Sequence, residues 1–154
     1  MNFEVLDDFN GLEIGFISKN SGGYISKNKY IFEEIELTPL NQFILEQSVF
    51  GTPIFKLGGG ANILLISGIH GNELPSQAAS LKLLEELINI DLDNTVYMIP
   101  FAAPKATMNN ERTFNSRDLN RSAHIKNSLS NLIMQAIEEL KINFVGDFHS
   151  TAKN

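Results

Sequence analysis

The sequence predicts an α/β fold in which a mixed, largely parallel sheet is flanked by helices. Three observations carry this. Residues 63–66 (ILLI) and 95–99 (TVYMI) are apolar runs without alternation, the pattern of strands buried on both faces. Two other segments place apolar residues at helical spacing. From residue 62 onward the order is strand, helix, strand, long loop, helix, strand, the alternation that builds parallel sheets covered by helices.

In chain order, residues 12–17 (LEIGFI) and 30–37 (YIFEEIEL) are rich in apolar and β-branched residues and are predicted as strands. The stretch between them, KNSGGYISKNK, supplies turn formers. Residues 49–55 read as two strand pieces about a Gly51-Thr52-Pro53 turn, and Gly58-Gly59-Gly60 permits a sharp reversal at little steric cost. The run at 63–66 ends in Ser67-Gly68-Ile69-His70-Gly71-Asn72-Glu73. A helix is predicted from about 75 to 88, with Pro75 in its first turn and Ala78, Leu81 and Leu84 on one face. Residues 101–126 form a long polar segment of little periodicity. Leu129, Leu132, Ile133, Ala136, Ile137 and Leu140 mark a second amphipathic helix, and residues 142–148 a third buried strand leading to His149. The change of style near Gly58 divides a β-rich segment, 1–57, from the remainder, 58–154. The same change suits an antiparallel edge on one mixed sheet.

Length and composition bound the function. A chain of 154 residues suffices for one domain with a real core. The net charge of −6, with no block of Lys or Arg, argues against a nucleic-acid partner. There is no cysteine, so a bound metal must be held by histidine and carboxylate. The opening MNFEVLDDFN lacks the basic and apolar regions of a signal peptide, and no apolar stretch approaches the ~20 residues of a membrane span. A cytoplasmic protein without a membrane partner is expected.

Three groups of residues can carry chemistry. His70 and Glu73 form an HxxE just past a predicted strand. Arg117-Asp118-Leu119-Asn120-Arg121 lies in the long polar segment, and Asp147-Phe148-His149 closes the third strand. Ligands of open α/β sheets bind at the carboxyl ends of strands, where His70, Glu73 and His149 all fall. Two histidines and a glutamate are a common catalytic zinc set, with a fourth position left for water. Taken singly, each feature has a plainer reading: a hydrogen-bonded histidine, turn glycines at 68 and 71, a surface Arg–Asp pair of little energetic weight. Their conjunction, with a long charged loop between them, favours a site.

GIHGNE at 68–73, DLNR at 118–121 and DFHST at 147–151 resemble, in this order, the signatures of the zinc carboxypeptidase superfamily. GIHGNE most resembles its aspartoacylase/succinylglutamate desuccinylase branch. The likeness runs from about residue 49 to 151 and covers the N-terminal part of that fold, truncated after the third metal ligand. It implies that His70, Glu73 and His149 bind zinc and that Asn120 and Arg121 hold a substrate carboxylate, a task suited to a guanidinium's paired hydrogen bonds. It further implies a catalytic arginine at the scissile carbonyl. Arg112 and Arg117 qualify, and Arg112 is favoured because Arg117 adjoins Asp118 as a structural partner. Asp147 is either an acceptor orienting a metal-bound histidine or a strand-end carboxylate making turn hydrogen bonds. The family's general base lies well downstream of the third ligand. Only five residues follow His149 here, and nothing in the pattern supports Glu111 in that role. The resemblance therefore implies a missing C-terminal half, or a homo-oligomer. The implied activity is hydrolysis of an amide bond in N-acyl amino acids or similar small carboxylates. Carboxypeptidase action on peptides is one alternative, and a non-catalytic metal- or carboxylate-binding fragment is another.

Overall fold

The structure, a computed structural model, describes residues 1–152. Its centre is a six-stranded mixed sheet with the strand order β1-β2-β3-β5-β4-β6. The strands are β1 (Glu4–Leu6), β2 (Leu12–Ser18), β3 (Thr52–Gly58), β4 (Asn62–Ser67), β5 (Thr95–Ile99) and β6 (Phe144–Phe148). The helices are α1 (Ile31–Glu34), α2 (Pro39–Gln47), α3 (Leu74–Leu87), α4 (Pro104–Met108) and α5 (Leu129–Glu139). The parallel part is β5-β4-β6, and β1, β2 and β3 extend it as an antiparallel wing. Residues 1–57 thus belong to the same sheet as the rest.

β5 shows why the apolar runs form the centre. All five of its residues are buried. Val96 and Met98 face a core built with Leu40 and Ile44 of α2 and Leu81 and Leu84 of α3. Tyr97 and Ile99 face a second core with Leu129 and Ile133 of α5. The period of two along a strand sends alternate side chains to opposite faces, so a strand covered on both must be apolar throughout. The two parallel neighbours of β4 are reached by helices on opposite faces. The carboxyl end of β4 therefore lies at a switch in strand order, the usual place for a ligand crevice.

Several expectations are corrected. Residues 30–37 do not form a strand; residues 31–34 are helical. Ile31 is fully buried and Ile35 packs on the same core, while Phe32 is 48% exposed. A spacing of four suits a helix, whereas a strand would have put Glu33 on the face shared by Ile31 and Ile35. α2 was not foreseen, although Thr38-Pro39 announces it: Thr38 Oγ1 accepts from the Asn41 amide at 3.1 Å and Pro39 occupies the first turn. The first strand piece expected at 49–55 is a 3-10 turn over Ser48–Phe50, and only the second is strand. The start of the segment 101–126 is not polar surface. Phe101, Ala102, Ala103 and Ala106 are buried, and α4 carries the last of these. β6 lies at the edge of the described sheet, as expected of a third strand with no neighbour on one side, and is therefore not buried on both faces: Phe144 is 61% and Phe148 42% exposed. Only β4 pairs with it among the described residues. No helix among these residues is long and apolar enough to cross a membrane.

The turn after β4 is fixed by a close approach. A Cβ on Gly71 would lie 2.3 Å from the Ala106 carbonyl carbon and 2.4 Å from the Thr107 nitrogen, both backbone atoms of α4. Gly71→Ala should therefore destabilise the protein by about 2 kcal/mol or more, as overpacking against backbone does. Gly59→Ala, with open space around its Cβ, should be near neutral. Urea midpoints of the two variants check this, and a Gly71→Ala midpoint equal to wild type would remove the constraint.

Candidate metal centre

The turn between β4 and α3 carries His70 and Glu73, both buried. Glu73 stands at the N-cap position of α3, where the positive end of the helix dipole favours a carboxylate. β6 pairs with β4 in parallel, Ser67 opposite Phe148, so His149 emerges beside that turn. Donor atoms of His70, Glu73 and His149 all lie within 4.8 Å of one another.

Both histidines present Nδ1 to the same carboxylate. His70 Nδ1 contacts Glu73 Oε2 closely, and His149 Nδ1 lies 3.3 Å from Glu73 Oε1. The Ser150 amide donates to Glu73 Oε1 at 3.0 Å. On their outer sides, His70 Nε2 meets Asp118 Oδ1 at 2.9 Å and His149 Nε2 meets Asp147 Oδ2 at 3.1 Å. Each imidazole is thus held at Nε2 by a carboxylate, which leaves Nδ1 facing the centre. A carboxylate on the far nitrogen fixes tautomer and ring orientation in metal-binding histidines. Two imidazole nitrogens and a carboxylate, each oriented this way, fit a divalent metal of the zinc type. Of the two readings open for Asp147, the structure bears out a hydrogen bond to His149.

The loop before α5 arranges the polar residues differently from expectation. Asp118 does not pair with Arg117. Its Oδ2 accepts from Arg112 at 3.2 Å, and its Oδ1 also accepts from the Asn120 amide at 3.0 Å, which caps the 3-10 turn Leu119–Arg121. The reason is the tight turn at Asn115 and Ser116, both left-handed with φ of 49° and 63°. It closes a backbone pair between Phe114 and Arg117 and brings Arg112 to the Asp118 side. Arg117 instead lines a cleft of about 200 Å³ with Ser18, Asn20, Phe114 and Asn127, and no histidine lines it. Asn120 and Arg121 are exposed, and Arg121 makes no ion pair among the described residues. Among the described residues, Glu111 makes no ion pair with a histidine. Sequence reasoning missed Asp118 as the partner of His70. Its signal was present, since a buried histidine needs a partner for its second nitrogen.

Burial works against ionisation of Asp118. The hydrogen bonds from His70 and the Asn120 amide, with the charges of His70 and Arg112, outweigh it and hold the carboxyl below its ordinary value.

A mixed sheet with this cluster at its carboxyl edge is the carboxypeptidase-like architecture. A metallo-carboxypeptidase from Burkholderia cenocepacia superposes with a TM-score of 0.59 at 15% identity, over 65% of this chain and 33% of that one. The chain belongs to the succinylglutamate desuccinylase/aspartoacylase family: the model of that family's catalytic domain matches residues 59–154. An aspartoacylase family protein from Mesorhizobium loti is similar at 26% identity and TM-score 0.54, over 64% of this chain and 34% of that one. A succinylglutamate desuccinylase/aspartoacylase from Rhodobacter sphaeroides is similar at 23% identity and TM-score 0.53, over 69% and 36%. The chain spans about a third of the length of these structures. No curated protein matches it.

A carboxyl depressed in the folded state adds stability above its unfolded value, and that stability is lost as pH falls through the folded value. In metal-free protein, the advantage of wild type over Asp118→Asn in urea unfolding should be present at pH 5 and shrink as pH drops below about 4. A gap that stays constant down to pH 3 would mean that Asp118 is not held ionised by these partners.

Proposed function

We propose that this chain carries the metal-holding part of a cytoplasmic, zinc-dependent hydrolase acting on an amide bond of N-acyl amino acids or related small carboxylates. The observation that carries this reading is the convergence of His70, Glu73 and His149, with each histidine steered by its own carboxylate. Membership of the succinylglutamate desuccinylase/aspartoacylase family favours small acylated amino acids over peptides.

In this reading Nδ1 of His70, Nδ1 of His149 and the Glu73 carboxylate hold the ion. Zinc suits two imidazoles and one carboxylate, and when bound it supplies the Lewis acidity that polarises a carbonyl and acidifies water. Asp118 and Asp147 keep both rings aligned. Arg112, joined to Asp118 and so close to His70, is the arginine assigned to the developing charge on the carbonyl oxygen. Arg117, in its separate cleft, is not. Arg121 has a guanidinium without an ion pair among the described residues, and Asn120 an exposed amide on the same short turn, a pair suited to clamp the carboxylate of the substrate. Glu73, Asp118 and Asp147 are each engaged with a histidine, so the proton relay to the leaving amine requires a further carboxylate.

Metal analysis tests the centre. Purified protein should bind close to one equivalent of zinc, and His70→Ala and His149→Ala should each lose most of it. Equal metal in all three proteins would end the assignment. For the clamp, Arg121→Lys keeps the charge and loses the bidentate geometry. In a protein extended to the full length of its relatives, it should lower kcat/KM for N-acyl amino acids by ~10-fold or more, the cost of one charge-assisted hydrogen bond. An unchanged kcat/KM would take Arg121 out of the pocket.

A further inference from the structure

The turn that carries His70 and Glu73 is held from behind by buried polar groups that the proposed reaction does not use. Gln77, in the first turns of α3, is fully buried. Its Nε2 donates to the Gly71 carbonyl at 3.2 Å and to the Glu73 carbonyl at 3.0 Å. Its Oε1 accepts from the Thr107 hydroxyl at 2.7 Å. Thr107 is equally buried, on α4, and its own carbonyl accepts from Asn28 Nδ2 at 2.7 Å. Asn28 precedes the residues that match the family model. The same N-terminal stretch grips α4 elsewhere. The Lys105 amide donates to the Ser21 carbonyl at 3.1 Å, and a Cβ on Gly23 would lie 2.7 Å from Lys105 Cα.

A side-chain amide has two orientations, and only one serves this site. With NH2 toward the turn, Gln77 satisfies two backbone carbonyls. Turned over, its oxygen would face both of them and leave the Gly71 carbonyl and the amide oxygen itself without a donor, each costly in a dry interior, while the Glu73 carbonyl would keep only the Ser76 hydroxyl. The two carbonyls can only accept and so select the working orientation, and the Thr107 hydroxyl donates to the amide oxygen that is left facing α4. We propose that Thr107 and Gln77 are positioning residues for the metal-holding turn: the hydroxyl anchors the amide at its oxygen, and the amide fixes the backbone from Gly71 to Glu73 and with it the spacing of the His70 and Glu73 donor atoms. Through Asn28, the segment ahead of the family-matched region braces the same relay. The inference rests on the metal-binding reading above.

Thr107→Val keeps the shape and removes the hydroxyl, and Thr107→Ser keeps the hydroxyl. Zinc affinity of each, measured by competition with a chromophoric chelator, is compared with wild type, alongside urea unfolding of the metal-free proteins and the visible spectrum of the cobalt forms. The valine variant should bind zinc about 10–100-fold more weakly, the usual cost of losing a group that orients a ligand, with a changed cobalt spectrum, and serine should restore both. A stability loss with unchanged zinc affinity would make the relay purely structural and overturn the proposal. So would a serine variant as weak as valine. If valine does not fold, Gln77→Met takes its place, and unchanged affinity there has the same force. Wild type that binds no zinc overturns the metal reading together with this one, whereas tight binding by both wild type and valine overturns this one alone.

Discussion

The arrangement depends on the parallel pairing of β4 with both β5 and β6. Their registers bring Ile66 opposite Ile99 and Ser67 opposite Phe148. The chains leaving all three strands therefore start at one level of the sheet. His70 leaves β4, His149 leaves β6, and the long segment after β5 returns Asp118 over His70. Residues far apart in sequence meet because three strand ends coincide. A one-residue slip of β6 would turn its side chains to the other face and carry His149 away.

Burial makes this meeting exacting. His70 and Glu73 are almost without solvent, so their polar atoms need partners within the protein. Nearly all find them: both imidazoles on two carboxylates each, Glu73 on two rings and the Ser150 amide, and the carbonyls of the turn on Gln77. The Asn72 Oδ1 is the exception in this turn. Ser150 has a second task, since its Oγ accepts from the Ser76 amide at 3.3 Å and ties the end of β6 to the start of α3. Backbone groups left over at a helix start are used to fasten the neighbouring strand.

What the sequence disclosed follows from how strongly each residue type constrains its surroundings. β4 and β5 were legible because burial on two faces forces an apolar run, and α3 and α5 because one buried face forces a period. The residues of the cluster were legible because HxxE and the histidine after β6 sit at strand ends. Residues 30–37 misled because β-branched composition was weighed above spacing. Ile31 and Ile35 are four apart, and the core on that face of the sheet selected the helix. The burial of Phe144 and Phe148 could not be judged from their apolarity, since it depends on whether a neighbour lies beyond β6. The partner of Asp118 was hidden for another reason. Adjacency in sequence suggested Arg117, but the left-handed Asn115 and Ser116, between Arg112 and Arg117, reverse the chain and exchange one arginine for another.

The edge position of β6 joins two things usually discussed apart, local unfolding and site assembly. A strand paired on one side, with large apolar side chains open to water, is the part of a sheet whose hydrogen bonds open at least cost. Yet His149, Asp147 and Ser150 all ride on this strand or directly follow it; His149 and Ser150 make two of the three contacts to the Glu73 carboxylate, and Asp147 holds the His149 ring. Every excursion of β6 away from β4 therefore dismantles the centre, and every ligand that gathers the three donors holds the strand in place. The occupancy of the centre and the docking of β6 are two readings of one equilibrium.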